Sequence, residues 1–140
     1  MLQVLQVPAS VVDEMVAHCL GALPEEGCGL LAGDLASGRI HRAYPTRNAA
    51  ASAKRYVVDP GDHLRADRDA EGQGLEIVGV FHSHTHTDAY PSPTDVAEAP
   101  DPTWHYVVVS LRHELPVTRS YRIAGGEISE EPVLTVDPRR

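Results

Sequence analysis

Leu75-Glu76-Ile77-Val78-Gly79-Val80-Phe81-His82-Ser83-His84 is the stretch on which the reading of this chain turns. Ile77, Val78, Val80 and Phe81 form an apolar, partly β-branched run behind a glycine-rich turn, the pattern of a buried strand that ends in polar residues. Side chains alternate across a strand, so His82 and His84 project to one face and Ser83 to the other. Tyr90-Pro91-Ser92-Pro93-Thr94-Asp95 then reads as a loop entering a short helix, with Ser92 at the N-cap, Pro93 at the first helical position and Asp95 in the first turn. That turn brings the Asp95 carboxylate back toward the strand end.

Two imidazoles and one carboxylate, with a fourth tetrahedral position left to water, are the ligand type of a catalytic zinc site; the four thiolates of a structural site are not available here. Upstream, Pro24-Glu25-Glu26-Gly27-Cys28-Gly29 offers Glu26 as the base that takes a proton from that water. Each part alone has an ordinary meaning. Ser92-x-x-Asp95 is a capping box, Glu26 a surface acid and His82 a strand-end histidine. Their coincidence around one buried strand points to a metal.

On these residues the chain resembles the JAMM/MPN+ zinc metallopeptidases, whose signature is a Glu, then His-Ser/Thr-His, seven residues, Ser, two residues and Asp. Every element stands here, at Glu26, His82, Ser83, His84, Ser92 and Asp95. The resemblance implies that His82, His84 and Asp95 hold one zinc ion per chain and that Glu26 deprotonates the water on it. It makes Ser92 the hydrogen-bond donor to the tetrahedral intermediate, and Ser83 structural. It selects Glu26 over Glu25, because the family's acid lies two residues before Cys-Gly at the start of an apolar strand, here Cys28-Gly29-Leu30-Leu31-Ala32-Gly33. His86 is expected to be a solvated histidine near the site mouth, with a third imidazole ligand as the alternative. The implied fold is a single α/β domain over residues 1–140, an MPN/JAMM fold with a mixed, curved sheet flanked by helices and an outline similar to cytidine deaminases. The deaminases' own His-x-Glu and Pro-Cys-x-x-Cys motifs are absent.

Outside the signature, Ala89-Tyr90-Pro91-Ser92, His105-Tyr106-Val107 and Arg119-Ser120-Tyr121-Arg122-Ile123 look like the actinobacterial members of the family that free cysteine from a sulfur-carrier protein. The reaction this implies is hydrolysis of the amide between the C-terminal Gly-Gly of a small ubiquitin-like carrier and an attached cysteine. Two other readings stay open: a general isopeptidase or small-peptide peptidase using the same five residues, and a non-catalytic MPN interaction module, a class that typically lacks ligands although none is missing here. Ala49 to Arg55 is expected to be a solvated surface loop. The alternative is a flap in which Lys54 or Arg55 meets the carrier or the released carboxylate.

Composition agrees with a small enzyme. The 140 residues suit one core, and 12 basic against 20 acidic residues give a net charge of −8, which argues against nucleic acid or an anionic membrane as partner. No apolar run is long enough to span a bilayer, and Met1-Leu2-Gln3-Val4-Leu5 lacks the basic start and cleavage site of a signal peptide, so a cytoplasmic location is expected. Two cysteines are too few for a disulfide scaffold. Cys19 falls on the helical apolar face Val11, Val12, Met15, Val16, Cys19, Leu20, and Cys28 is expected to be packed, with a nucleophilic thiol as the alternative.

Along the chain, the pattern predicts a strand at 3–7, a helix capped by Ser10 and ending near Gly21, strands at 27–33 and 39–44 joined by the Ser37-Gly38 turn, and a short strand at 56–58. Asp59-Pro60-Gly61-Asp62 begins a solvated polar helix anchored by Leu64. Strands at 104–111, 117–123 and 128–136 close the domain, with Gly125-Gly126 as a hairpin turn.

Overall fold

The computed structural model describes residues 3–137. Eight strands and three helices run in the order β1 (Leu5–Pro8), α1 (Ala9–Ala22), β2 (Cys28–Asp34), β3 (Arg39–Thr46), α2 (Pro60–Gly72), β4 (Glu76–His84), α3 (Pro93–Ala97), β5 (His105–Ser110), β6 (Val117–Ala124), β7 (Glu127–Glu131) and β8 (Val133–Val136). All strands join one sheet in the order β7-β6-β5-β4-β2-β3-β1-β8. The β4–β5, β1–β3 and β1–β8 pairs are parallel and the rest antiparallel, so the sheet is mixed as expected.

Its two edges belong to strands that follow each other directly. β7 ends at Glu131 and β8 begins at Val133, yet they lie at opposite ends of the strand order. One intervening residue can bridge them only if the sheet curls until its edges nearly meet. Pro132 sits at that corner, and its carbonyl accepts a hydrogen bond from the Leu5 amide at 2.9 Å. Close by, buried Glu131 Oε2 accepts from the Ser120 hydroxyl at 2.8 Å and lies 2.7 Å from His105 Nδ1, tying β7 to β6 and β5 beneath the surface. The single strand expected over 128–136 is therefore two, because proline cannot donate to a ladder and ends β7.

α1 packs Val11, Met15 and Cys19 against Leu5, Val7, Leu31, Ile40, Val78 and Phe81 on one face of the sheet. The other face carries Leu30, Val80, Tyr106 and Ile123 under Ala66 of α2. Between Leu31 and Ala32 the β2–β4 register jumps from Gly79 to Ile77, which makes Val78 an extra residue on β4. This bulge resets the alternation. Val78 and Phe81 consequently share the α1 face, Ile77 and Val80 the α2 face, and the phase that follows sends Ser83 toward α1 and both histidines the other way. A Cβ at Gly79 would run into the His105 carbonyl, so glycine permits β5 to lie against the bulge.

Four local expectations need correction. Ser10 does not cap α1: β1 runs straight into the helix, Pro8 holds the N-cap position in an extended conformation, and Ser10 lies exposed inside the first turn. Leu20 at the other end is exposed rather than part of the apolar face. α2 is anchored by Ala66 and Ala70, small residues that let it lie close to the sheet, whereas Leu64 is exposed. Residues 56–58 form no strand and contribute a single antiparallel bridge, Asn48 to Val58. The Asp59 cap is as expected, its carboxylate accepting the Asp62 amide at 3.0 Å, and both Gly125 and Gly126 take positive φ, as a tight two-residue hairpin turn requires.

Candidate metal centre

α3 forms the crossover between β4 and its parallel partner β5, which brings the carboxyl end of β4 and the first turn of α3 together. His82 Nε2 and His84 Nε2 lie 3.2 Å apart there, and Asp95 Oδ2 is 3.1 Å from the first and 2.9 Å from the second. All three residues are buried. Three donor atoms in a near-equilateral triangle match one face of a ligand tetrahedron: bonds of about 2.0–2.1 Å to zinc give edges of about 3.3 Å. The donor chemistry fits too. His84 Nδ1 lies 2.9 Å from the Asp88 carbonyl, which only accepts, so Nδ1 carries the ring proton and Nε2 turns a lone pair to the centre.

Local structure holds each donor. Ser92 caps α3: its hydroxyl accepts the Asp95 amide at 3.1 Å, while its own amide donates to Asp95 Oδ2 at 2.8 Å, completing a capping box. The ordinary and the chemical reading of Ser92-x-x-Asp95 thus coincide, since the cap itself orients the carboxylate. Tyr56 stacks on His82, ring centroids 4.2 Å apart and planes 18° from parallel, and fixes an imidazole whose Nδ1 has no hydrogen-bond partner. Nothing in the sequence signalled that contact. The same tyrosine walls an apolar cavity of about 250 Å³ with Leu30, Val80, His63 and Trp104.

The charges respond to their neighbours. Burial lowers the His82 pKa against the pull of Asp95. For His84 burial acts in the same sense, but the Asp95 carboxylate and the Asp88 carbonyl outweigh it and hold the ring above its ordinary value. Burial would raise Asp95, yet bonds from both histidines and the Ser92 amide hold it well below the usual carboxylate range.

Glu26 is buried, while Glu25 is half-buried beside it. Burial pushes the Glu26 carboxyl up to about 7, with His84 drawing it down and Asp95 pushing it up, and its Oε1 has no hydrogen-bond partner. Its backbone is held on every side. The Glu26 amide donates to Ser52 O at 2.8 Å, Asn48 Nδ2 donates to Glu26 O at 3.0 Å, and the next residue, Gly27, exchanges bonds of 2.9 and 3.0 Å with the side chain and amide of Ser83. A Cβ at Gly27 would come within 2.9 Å of Cys19 Cα, so only glycine passes α1 this closely.

Asn48 is a second residue that the sequence did not reveal. Besides Glu26 O, its side chain donates to Arg55 O at 3.0 Å and accepts the amides of Ala50 and Val57, each at 3.0 Å. The 49–55 loop is therefore tethered rather than free, and Thr85, the residue after the second histidine, adds a bond to Ala53 O at 3.3 Å. His86 is exposed and does not join the triangle of donors. Both thiols are packed as expected, burial pushing Cys19 up to about 12 and Cys28 up to about 11, which keeps them protonated and poorly nucleophilic at neutral pH.

The sequence profile of the prokaryotic homologs of the JAB domain matches residues 8–124. The CysO-cysteine peptidase of Mycobacterium tuberculosis is 46% identical over 138 residues, covering 96% of this chain and 92% of that one. The desampylase of Haloferax volcanii is 33% identical over 111 residues, 76% of this chain and 80% of its own length. Among solved structures, a protein of Desulfitobacterium hafniense has a TM-score of 0.88 at 34% identity, covering 95% of this chain and 93% of that one.

Proposed function

This chain belongs to the prokaryotic JAB-domain family, and on that footing we propose that it is a zinc-dependent peptidase that cleaves the amide between the C-terminal Gly-Gly of a small ubiquitin-like sulfur-carrier protein and an attached cysteine. The observation that carries the chemistry is the triangle of His82, His84 and Asp95 beside the buried, unpartnered carboxyl of Glu26. The likeness to a CysO-cysteine peptidase over nearly the whole chain supports the substrate.

His82, His84 and Asp95 would hold one zinc ion per chain, which when bound lowers the pKa of a water to about 7 and polarises a carbonyl. Glu26 receives the water's proton on its free Oε1 and returns it to the leaving nitrogen, a task suited to a carboxyl whose pKa lies near 7. The Ser92 hydroxyl already accepts the Asp95 amide, so its own hydrogen is free to donate to the substrate oxygen as charge develops there. Asp88 and the Ser92 amide keep the donors aimed, and Tyr56 shields one side of His82 from water. No helix among the described residues is long and apolar enough to cross a membrane. We place the enzyme in the cytoplasm as a single catalytic domain over residues 1–140, with the carrier as its protein partner and no role for nucleic acid.

A second reading has a specific basis in the likeness to a desampylase: an isopeptidase acting on ubiquitin-like conjugates through the same five residues. The zinc-loaded protein is to be offered a carrier ending in Gly-Gly-Cys, ubiquitin-like isopeptide conjugates and short Gly-Gly peptides, with cysteine release and carrier mass followed. Cysteine release should dominate and stop with a chelator. Cleavage of isopeptide conjugates alone would replace the first reading with the second.

A further inference from the structure

Cysteine at the end of a carrier differs from a lysine isopeptide in one chemical respect next to the bond that breaks. Its free carboxylate lies two bonds from the scissile nitrogen, and the site must accept that anion among acids: Glu26 and Asp95 within, Glu25, Asp88 and Glu98 around. Zinc held by His82, His84 and Asp95 would offset the inner acids, and a further cation at the mouth would favour a terminal anion over a neutral chain. Most cations bordering the centre are already engaged. Arg47 pairs with Asp59 and Asp62 at 3.2 and 3.1 Å, Arg55 takes Glu98 through two bonds of 2.8 and 3.2 Å, and Arg112 pairs with Asp88 at 3.0 Å.

Lys54 is the exception. It is the only lysine in the chain, its side chain is exposed, and among the described residues it forms no ion pair. Its backbone is fixed at the site mouth by the neighbours that flank it. The Lys54 amide donates to Ser52 Oγ at 3.0 Å while Ser52 O takes the Glu26 amide at 2.8 Å; Ala53 O takes the Thr85 hydroxyl at 3.3 Å; and Arg55 O takes Asn48 at 3.0 Å. A free ammonium on a flexible four-carbon stem thus stands on a backbone fastened to both the base and the ligand strand. We propose that Lys54 is the specificity residue that receives the free carboxylate of the departing C-terminal residue, which tunes this enzyme to terminal amino-acid adducts over lysine isopeptides. The proposal rests on the amide-hydrolase reading above.

The test compares carrier tails ending in Gly-Gly-Cys as the free acid and as the C-terminal amide, with zinc-loaded wild type, Lys54→Met and Lys54→Arg. Wild type should prefer the acid about five- to tenfold in kcat/KM, chiefly through KM and less so as salt is added, the scale of a partly solvated ion pair. In Lys54→Met the acid-to-amide ratio should fall toward one, while Lys54→Arg keeps most of the preference. Zinc content and melting temperature should match wild type in both variants, because the side chain is solvated. Hydrolysis of both tails by wild type without preference, or an unchanged ratio in Lys54→Met, refutes the role of Lys54 and leaves the hydrolase standing. If wild type cleaves neither tail, the substrate reading falls and takes this inference with it.

Discussion

Replacing Asn48 by Ala removes the clasp of the 48–57 segment without touching a metal donor. Four bonds of 3.0 Å disappear, two donated to the carbonyls of Glu26 and Arg55 and two accepted from the amides of Ala50 and Val57. Each such bond is worth about 0.5–1.5 kcal/mol net, and because Asn48 is only half-buried water recovers part of the loss, leaving a destabilisation of about 2–3 kcal/mol. For a domain of this size that lowers the melting temperature by roughly 8–12 °C. The rate should fall roughly 10- to 100-fold, since Glu26 loses one of its two backbone tethers and a base displaced by a fraction of an ångström works poorly. Zinc content should remain at the wild-type level, the donors being on β4 and α3. Asn48→Asp separates the two halves: it keeps both acceptor bonds but turns a carboxylate oxygen toward the two carbonyls, and should retain at least half the stability deficit with all of the rate loss. Thermal melting, metal analysis and steady-state kinetics read these effects separately. Wild-type melting and turnover in Asn48→Ala would refute the clasp, and zinc loss parallel to the rate would show that the segment supports the whole centre rather than Glu26.

Glu26→Gln keeps size and polarity but cannot take a proton, so zinc should stay while turnover drops about 10²-fold or more; an inactive Glu25→Gln beside an active Glu26→Gln would reverse the assignment. His84→Ala should lose both zinc and activity, and full zinc occupancy by metal analysis would remove it from the ligand set. Asp62 accepts the Arg47 guanidinium and amide and a bond from Arg65, which hold its carboxyl below the ordinary value near 4. A depressed folded-state pKa contributes stability that is complete above the unfolded value and lost as pH falls below it. Wild type should therefore lose its advantage over Asp62→Asn in denaturant titrations between about pH 4 and pH 2, and a constant difference across that range would contradict the pairing.

The grouping of His82, His84 and Asp95 was legible in the sequence because two local rules place it. Period-two alternation puts His82 and His84 on one face, and helix capping by Ser92 fixes Asp95. Both act within a few residues, so no knowledge of the rest of the chain is required. Asn48 and Tyr56 stayed hidden for the opposite reason. An asparagine beside an alanine-rich loop and a tyrosine after a Lys-Arg pair carry no periodic or spacing signal, and their roles exist only once β2, β4 and the loop converge. The bulge at Val78 was similarly silent, although the glycine after it was a trace. Pro8 and Pro132 act through the amide that proline lacks: the first sets the helix start ahead of Ser10, and the second splits 128–136 into strands on opposite edges.

The geometry divides chemistry from recognition between two kinds of structure. Gly27, next to Glu26, exchanges two hydrogen bonds with Ser83, which lies between the histidines, so the place of Glu26 relative to them is set by the β2–β4 ladder. A ladder between central strands opens only with the whole fold, which keeps the reacting groups in register on every timescale short of unfolding. The segment from Asn48 to Val58 has only one bridge of its own and depends on side-chain bonds for its shape. Its residues Ala49, Ala51, Ala53, Lys54 and Arg55 are exposed, and substitution there changes contacts with a substrate but leaves the ladder alone. Exchanges confined to residues 50–55 should therefore shift KM and substrate preference with little effect on zinc content, whereas any change that opens the Gly27–Ser83 exchange should lower kcat for every substrate by the same factor. A loop exchange that lowered kcat uniformly across substrates would show that recognition and chemistry are not separable in this fold.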